Sequence, residues 1–526
     1  MRAIGGGTCR NRIRSRGTLD LLVVEILENA RHTDEYLRYS VKELRVATVT
    51  FDREPFAYSE SQKEHLNTTR IVTTGTPETA STSSFENLQD SDANPCKLTY
   101  SKTLFAAAVV GIAGGVVATV YYFVLENLLE LVWHTGRESL VALFPAWLPP
   151  WNYIWLVPTL GGLGVGLCLY FLGLPGEMAI AIDRVHDSGQ LEPEQTPGMI
   201  ATSLVSITAG GSLGPEAPLV QINGSIGSWI AQKLNLTLTS TRVLTFCGMG
   251  AALSAFFCDP IGGPLFALEI PHRRGLEYYE AIIPAMVAGI CSFAVFRIGT
   301  GLAVGGIYNF GRFGDLPTLS WVHLAEGLLL GIVGALAGVL FIGIFRALNW
   351  AIQKIEHRHI LLAVLGGLGI GWIAVLFPAT LFFSEQQIET QLLAKSASYG
   401  VTMLLCLCLA KMVAICFTIH GGFRGGFIFP LFFAGASLGL AIAFGVPAVH
   451  PTIAVLCCMA AINVAITKTP VSTTIILTVL SDTTILPVIA IASFTSFLIT
   501  SNIGLLKTQR ARTVEFPVRP CTRGHY

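Results

Sequence analysis

The chain has 526 residues, of which 52% are hydrophobic and only 13% charged, with 53 glycines and a formal net charge of zero. That is too apolar and too rich in glycine for an ordinary soluble domain. The neutral charge balance leaves no case for a nucleic-acid partner.

The first ~100 residues stand apart as a polar amino-terminal region. They are mixed in charge and end in a Ser/Thr/Asn/Asp-rich stretch, 73–94, that reads as a disordered linker. Residues Leu21 to Phe51 carry some apolar periodicity but are too few to promise a core. The opening Met1 to Gly17 holds five arginines (Arg2, Arg10, Arg12, Arg14, Arg16), no acidic residue and no apolar centre. It is not a secretory signal; it reads either as a plain basic tail or as an organelle transit peptide, such as a plastid one.

Apolar runs follow from Leu104 to Leu125, Tyr153 to Leu174, Leu244 to Phe257, Ala281 to Phe296 and Leu328 to Ile344. They continue at Leu361 to Leu376, Val401 to Ile419, Phe427 to Phe444, Ile453 to Ile466 and Thr484 to Leu505. Some reach the ~20 residues that cross a bilayer, and others fall short. Short runs beside long ones imply helices that stop part-way and leave their ends inside the protein. The expected class is an all-α polytopic membrane protein. The tail after Leu506 is basic (Lys507, Arg510, Arg512, Arg519 and Arg523 against Glu515), and Lys97 and Lys102 precede the first run. Basic flanks favour one side of the membrane for both ends.

Most of the twelve cysteines sit within apolar runs, where a thiol behaves as a small hydrophobe. There is no C-x-x-C pair and no histidine cluster, so neither a disulfide framework, a metal nor another cofactor is expected.

The segment Gly211-Ser212-Leu213-Gly214-Pro215-Glu216-Ala217-Pro218 opens an apolar run through Ala231. Pro218 suits a helix's first turn, and the glycines allow a sharp turn and close approach. A helix start inside a membrane offers free amides to an anion, and a carboxylate such as Glu216 is costly to keep there without a function. A second copy, Gly425-Gly426-Phe427-Ile428-Phe429-Pro430-Leu431, opens another run. The two align without gaps: Pro218-Leu219 on Pro430-Leu431, Ser225-Ile226-Gly227 on Ser437-Leu438-Gly439, and Ile230-Ala231 on Ile442-Ala443. Interrupted helices at matching places in two halves point to a transport site between repeats.

On these residues the chain resembles the CLC family of chloride channels and proton-coupled chloride antiporters. The family's gating glutamate lies in a G-x-E-x-P segment, matched by Gly214-Pro215-Glu216-Ala217-Pro218, and its G-x-F-x-P segment is matched by Gly426 to Pro430, with phenylalanine one place early. Pro260 to Glu269 resembles the family's short apolar helix ending in glutamate. The likeness covers roughly residues 100 to 508. It implies an inverted-repeat fold of tilted, partly discontinuous helices, with a first repeat about 101–297 and a second about 320–508. It also implies a homodimer with one anion pathway in each subunit, embedded in lipid and moving chloride or similar small anions. The chain ends about 20 residues after its last apolar run, so the paired nucleotide-sensing domains of many eukaryotic relatives are not expected beyond the short basic tail 509–526.

By the resemblance, Glu216 gates. The anion site is lined at Gly214, Pro215 and Ala217, at the amides of Phe427 and Ile428, and at Leu172, Gly173 and Leu174, where the family carries a serine-bearing turn. Leu172 replaces that serine, and Ser501 to Leu505 lacks the family's tyrosine. Selectivity then rests on backbone amides. Proton-coupled members end the short helix in a glutamate pair; here it reads Glu269-Ile270, with isoleucine at the proton-transfer position. An isoleucine carries no proton, which favours a channel, and a one-residue slip would return that role to Glu269. Lys411, inside an apolar run, either raises the potential near the pathway or pairs. Arg424 either draws anions to the mouth or is a solvated loop residue. No nucleophile with a base and no H-E-x-x-H pattern suggests an enzyme, and a carrier of a larger organic anion would want basic clamps that are absent.

Overall fold

The structure, a computed structural model, describes residues 97–138, 152–173, 178–302, 308–316, 318–355, 357–481 and 484–511. The amino-terminal region, Leu174 and the rest of its turn, and the basic residues from Arg512 on lie outside them. Among the described residues there is no β-strand, and each apolar run forms a helix.

The helices in chain order are α1 (Tyr100–Glu130), α2 (Asn152–Leu172), α3 (Met178–Asp187), α4 (Thr196–Thr208), α5 (Glu216–Lys233), α6 (Leu238–Phe257), α7 (Gly262–Glu269) and α8 (Ile282–Thr300). The remainder are α9 (Trp321–Ile352), α10 (His359–Leu376), α11 (Val401–His420), α12 (Ile428–Gly445), α13 (Pro451–Thr467), α14 (Pro470–Ser481) and α15 (Leu486–Thr500). Among the described residues, 8 helical segments are long and apolar enough to cross a membrane. α1 turns Phe105, Val109, Ile112, Val116 and Val120 outward, an apolar face that suits lipid rather than water. The protein is a multi-pass integral membrane protein. α6 and most of α12 are instead buried inside the protein.

Between apolar helices in lipid the usual hydrophobic drive is weak, so close backbone packing through small residues holds the bundle. G-x-x-x-G pairs supply it. Gly111 and Gly115 of α1 lie on Ala288 and Ser292 of α8, and Gly327 and Gly331 of α9 lie on Val488 and Ala492 of α15. These two parallel pairs are the same device in the two repeats. Between them α2 and α10 pack antiparallel, with Gly162 against Ala363 and Gly367 against Pro158. A Cβ at Gly367 would stand 2.0 Å from the Pro158 carbonyl oxygen, so only glycine permits the approach.

The repeats run in opposite directions. The Pro271 carbonyl, just before α8, accepts the Arg510 backbone N–H (3.3 Å), so α8 and its parallel partner α1 start at the face that carries the end of the described chain. α9 finishes at that face, where Arg346 Nη2 donates to the Gly504 carbonyl (3.2 Å). We call this the terminal face and its opposite the distal face. α5 ends toward the terminal face, where Gln232 bonds Gln190. α12 leads to the distal side, where His450 approaches His323 and Glu326 near the start of α9. The starts of α5 and α12 therefore lie between the faces and point at each other.

Candidate functional site

Two turns make the site. Before α5, the Pro215 carbonyl accepts Leu219 N–H (3.0 Å), and before α12, the Phe427 carbonyl accepts Leu431 N–H (3.0 Å). Pro218 and Pro430 each occupy the first turn, where an amide has no carbonyl partner to lose. The turns pair with each other: Gly214 and Gly426 exchange both N–H···O bonds at 2.6 Å, an isolated antiparallel bridge. The anchoring is reciprocal as well. Ser212 N–H donates to Thr418 Oγ1 (3.2 Å), and Arg424 N–H donates to Ser206 Oγ (2.9 Å). Ser206 matches Thr418 and Ser212 matches Arg424 in the same register that aligns Pro218 with Pro430.

Glu216 reaches from the first turn to the second helix start. It is fully buried (0% exposed), and its Oε1 accepts N–H bonds from Ile428 (3.2 Å) and Phe429 (3.5 Å). Its Oε2 has no hydrogen-bond partner among the described residues. The first amides of a helix have no intrahelical acceptor and carry about half a positive charge, so a carboxylate there is held by hydrogen bonds and by the dipole together. A Cβ at Gly214 would stand 2.0 Å from Glu216 Oε2, and one at Gly426 2.5 Å from its Cδ. Those glycines are the walls of the slot that the carboxylate fills. Gly214 and Pro215 are buried and Ala217 half-buried beside it.

Ile428 supplies one amide to the carboxylate and Phe429 the other, while Phe427 supplies the helix-starting carbonyl. Leu172 and Gly173 end α2 in exposed positions, Gly173 at φ +80. Leu174 is outside the described residues. The short helix α7 does end at Glu269, but that carboxylate is already engaged. Glu269 Oε1 accepts Val471 N–H (3.1 Å), and Oε2 accepts Ser472 N–H (2.9 Å) and Ser472 Oγ–H (2.6 Å). It caps the start of α14, a helix whose Ser and Thr content hides it among the apolar runs. Ile270 is buried next to it, its carbonyl accepting from Gln509 Nε2 (2.8 Å).

Lys411 is buried and paired rather than free. Its Nζ donates to the Thr380 (2.8 Å) and Phe382 (2.9 Å) carbonyls and lies 5.3 Å from the Phe433 ring centre. Arg424 is buried at the second turn. Arg297, Glu385 and Glu126 belong to no motif in the sequence, yet they line a cavity of about 280 Å³ together with Pro215. Their signal in the chain is faint: Glu126 and Arg297 are charges at the ends of apolar runs, and Glu385 lies between two runs. Among the described residues no group of three or more His, Cys, Asp or Glu side chains is placed to hold a metal, and the described cysteines are free.

The profile of the family described as "Voltage gated chloride channel" matches residues 161–501. A chloride/fluoride channel protein of Pseudomonas syringae pv. tomato is 28% identical over 368 residues, which cover 69% of this chain and 79% of that protein. Among solved structures, a CLC-type fluoride/proton antiporter superposes with a TM-score of 0.65 at 21% identity, covering 79% of this chain and 100% of that one. A slow cyanobacterial Cl−/H+ antiporter gives a TM-score of 0.64 at 21% identity, covering 77% and 96%.

Proposed function

The chain belongs to the voltage-gated chloride channel family, and on that premise we propose that it is a CLC-type anion channel whose pathway is closed by Glu216. The observation that carries this is the Glu216 carboxylate held on the amides that start α12. A tethered anion occupies the place where a free one would bind. Ionised, Glu216 keeps that place; protonated or swung away, it yields it to chloride or a similar ion. Amides and a helix dipole hold an anion without a full buried cation, so binding stays weak enough for release.

Passive conduction is favoured over exchange because the terminal-face glutamate, Glu269, is taken up in capping α14 and Ile270 beside it cannot titrate. The second reading is anion/proton exchange. It is favoured by the buried Glu216 carboxylate, itself able to carry a proton, and by a fold shared with structures titled as antiporters. The choice among anions includes fluoride, named for the Pseudomonas relative, as well as chloride and nitrate. A larger organic anion finds no basic clamp in the Glu216 slot. The terminal face, with Arg184, Arg242, Arg273, Arg346 and Arg510, is the cytoplasmic or equivalent side by the positive-inside rule. The working unit is a homodimer with one pathway per subunit.

The test is reconstitution of the purified protein in liposomes under a chloride gradient, with external pH recorded as chloride moves. Chloride flux without coupled proton movement is the expected result. Uphill proton movement driven by chloride would establish the exchanger instead.

A further inference from the structure

The cavity beside Pro215 opens toward the distal face, where α1 and α8 end. Its charged lining comes from three elements: Glu126 near the end of α1, Arg297 in the last turn of α8, and Glu385 in the turn that follows α10. Arg297 is only 8% exposed, yet its Nε has no hydrogen-bond partner and it makes no ion pair among the described residues. The Phe293 ring lies 5.6 Å from its guanidinium, and the Cys258 thiol is within its reach. A guanidinium has five donors and stays charged, and buried charge is stable only with an anion to answer it. Two carboxylates, Glu126 and Glu385, line the same cavity of about 280 Å³ without an ion pair to Arg297 among the described residues. A water takes about 30 Å³ of liquid, so the space holds a small ion with its remaining hydration.

Glu385 is placed there by a strained segment. Phe382 and Ser384 have φ of 60 and 73, left-handed values that non-glycine residues rarely adopt. The Lys411 ammonium, bonded to the Thr380 and Phe382 carbonyls, fixes the chain leading into it.

We propose that this cavity is a second anion station, ahead of the Glu216 slot on the distal side, in which Arg297 holds a small inorganic anion and Glu385 is its tethered competitor. The proposal rests on the channel reading above and adds the step by which an anion approaches the gate. It repeats the logic of Glu216: a carboxylate of the protein contests the place of the permeating ion. Burial pushes the Glu385 carboxyl up to about 8, the charges of Glu216 and Glu126 add to this, and Arg297 opposes it. The other titratable groups facing the cavity or Glu385 are Tyr121, Tyr122, Cys258, Tyr308 and Glu389. Below that pH Glu385 is neutral, Arg297 is left with less internal competition, and anion occupancy rises; above it the carboxylate returns and occupancy falls.

The experiment measures the chloride concentration that half-saturates flux through full-length protein in liposomes. The Glu216→Gln background is used so that gating does not contribute. Arg297→Gln is expected to raise that concentration about tenfold, the effect of losing one charge-assisted bond. Arg297→Lys, which keeps the charge, should raise it less. Glu385→Gln should lower it severalfold and remove the pH dependence that Glu385 carries, which in this background lies below about 8 because the Glu216 charge no longer raises it. Opposite shifts in two variants are not a signature of misfolding. Unchanged half-saturation in both, or shifts of the same sign, would overturn the station while leaving the channel standing. Absence of chloride flux in the parent protein would overturn the channel reading and the station with it.

Discussion

Replacing Glu216 with glutamine keeps the shape of the side chain in the slot between Gly214 and Gly426 but removes its charge. In the parent, Oε1 accepts one ordinary amide bond at 3.2 Å from Ile428 and a longer one at 3.5 Å from Phe429, at a helix start that favours negative charge. A hydrogen bond to an ionised group contributes about 1.5–3 kcal/mol and one to a neutral group about 0.5–1.5 kcal/mol. Counting the short bond in full and the long one in part, neutralisation weakens the closed arrangement by about 1–2 kcal/mol. That is about a 5- to 30-fold change in the ratio of closed to open pathways. The assay is chloride efflux from liposomes over a range of pH. The parent should conduct more as pH falls and Glu216 is protonated. The glutamine variant should conduct at all pH values near the parent's acid limit. A variant that retained the parent's pH profile would refute the assignment of Glu216 as the gate, whatever its absolute rate.

Glu269→Ala strips the acceptor from one buried amide (Ser472), one half-buried amide (Val471) and the buried Ser472 hydroxyl at the start of α14. Each buried donor left alone costs about 1–3 kcal/mol, so thermal unfolding in detergent should show a clear fall in Tm, with Glu269→Gln falling less and still passing chloride. Gly367→Ala drives a methyl against the Pro158 carbonyl oxygen and forces α2 and α10 apart, at a cost of about 1–3 kcal/mol. The control is Gly343→Ala, where a Cβ meets nothing within 4 Å and Tm should hold or rise; equal losses in both would contradict the packing account.

Much of the site is legible in the amino-acid sequence. Periodicity is not the signal, because helices that meet lipid on one side and protein on the other are apolar all round. Run length, punctuation by glycine and proline, and the misplaced charge of Glu216 carry the reading. The gapless match of Pro218 with Pro430 is a real symmetry of the fold. It extends to residues that no motif includes, since Ser206 and Thr418 make equivalent bonds with Arg424 and Ser212.

The class of the protein, the two helix starts and the carboxylate beside one of them can be read from consecutive residues, because each is a local property. A run of apolar residues, a proline in a first turn and a carboxylate beside it are written in consecutive positions. Which amides meet the carboxylate, Ile428 and Phe429, is set by packing, since it depends on the depth to which one turn enters the other. Packing also separates two glutamates that the sequence left comparable. Glu269 satisfies three donors of a helix that begins some two hundred residues later, while Glu216 keeps one oxygen without a partner among the described residues. Arg297 and Glu385 share a cavity for the same reason. Contacts between residues far apart in the chain are made by packing, and no spacing in the sequence encodes them.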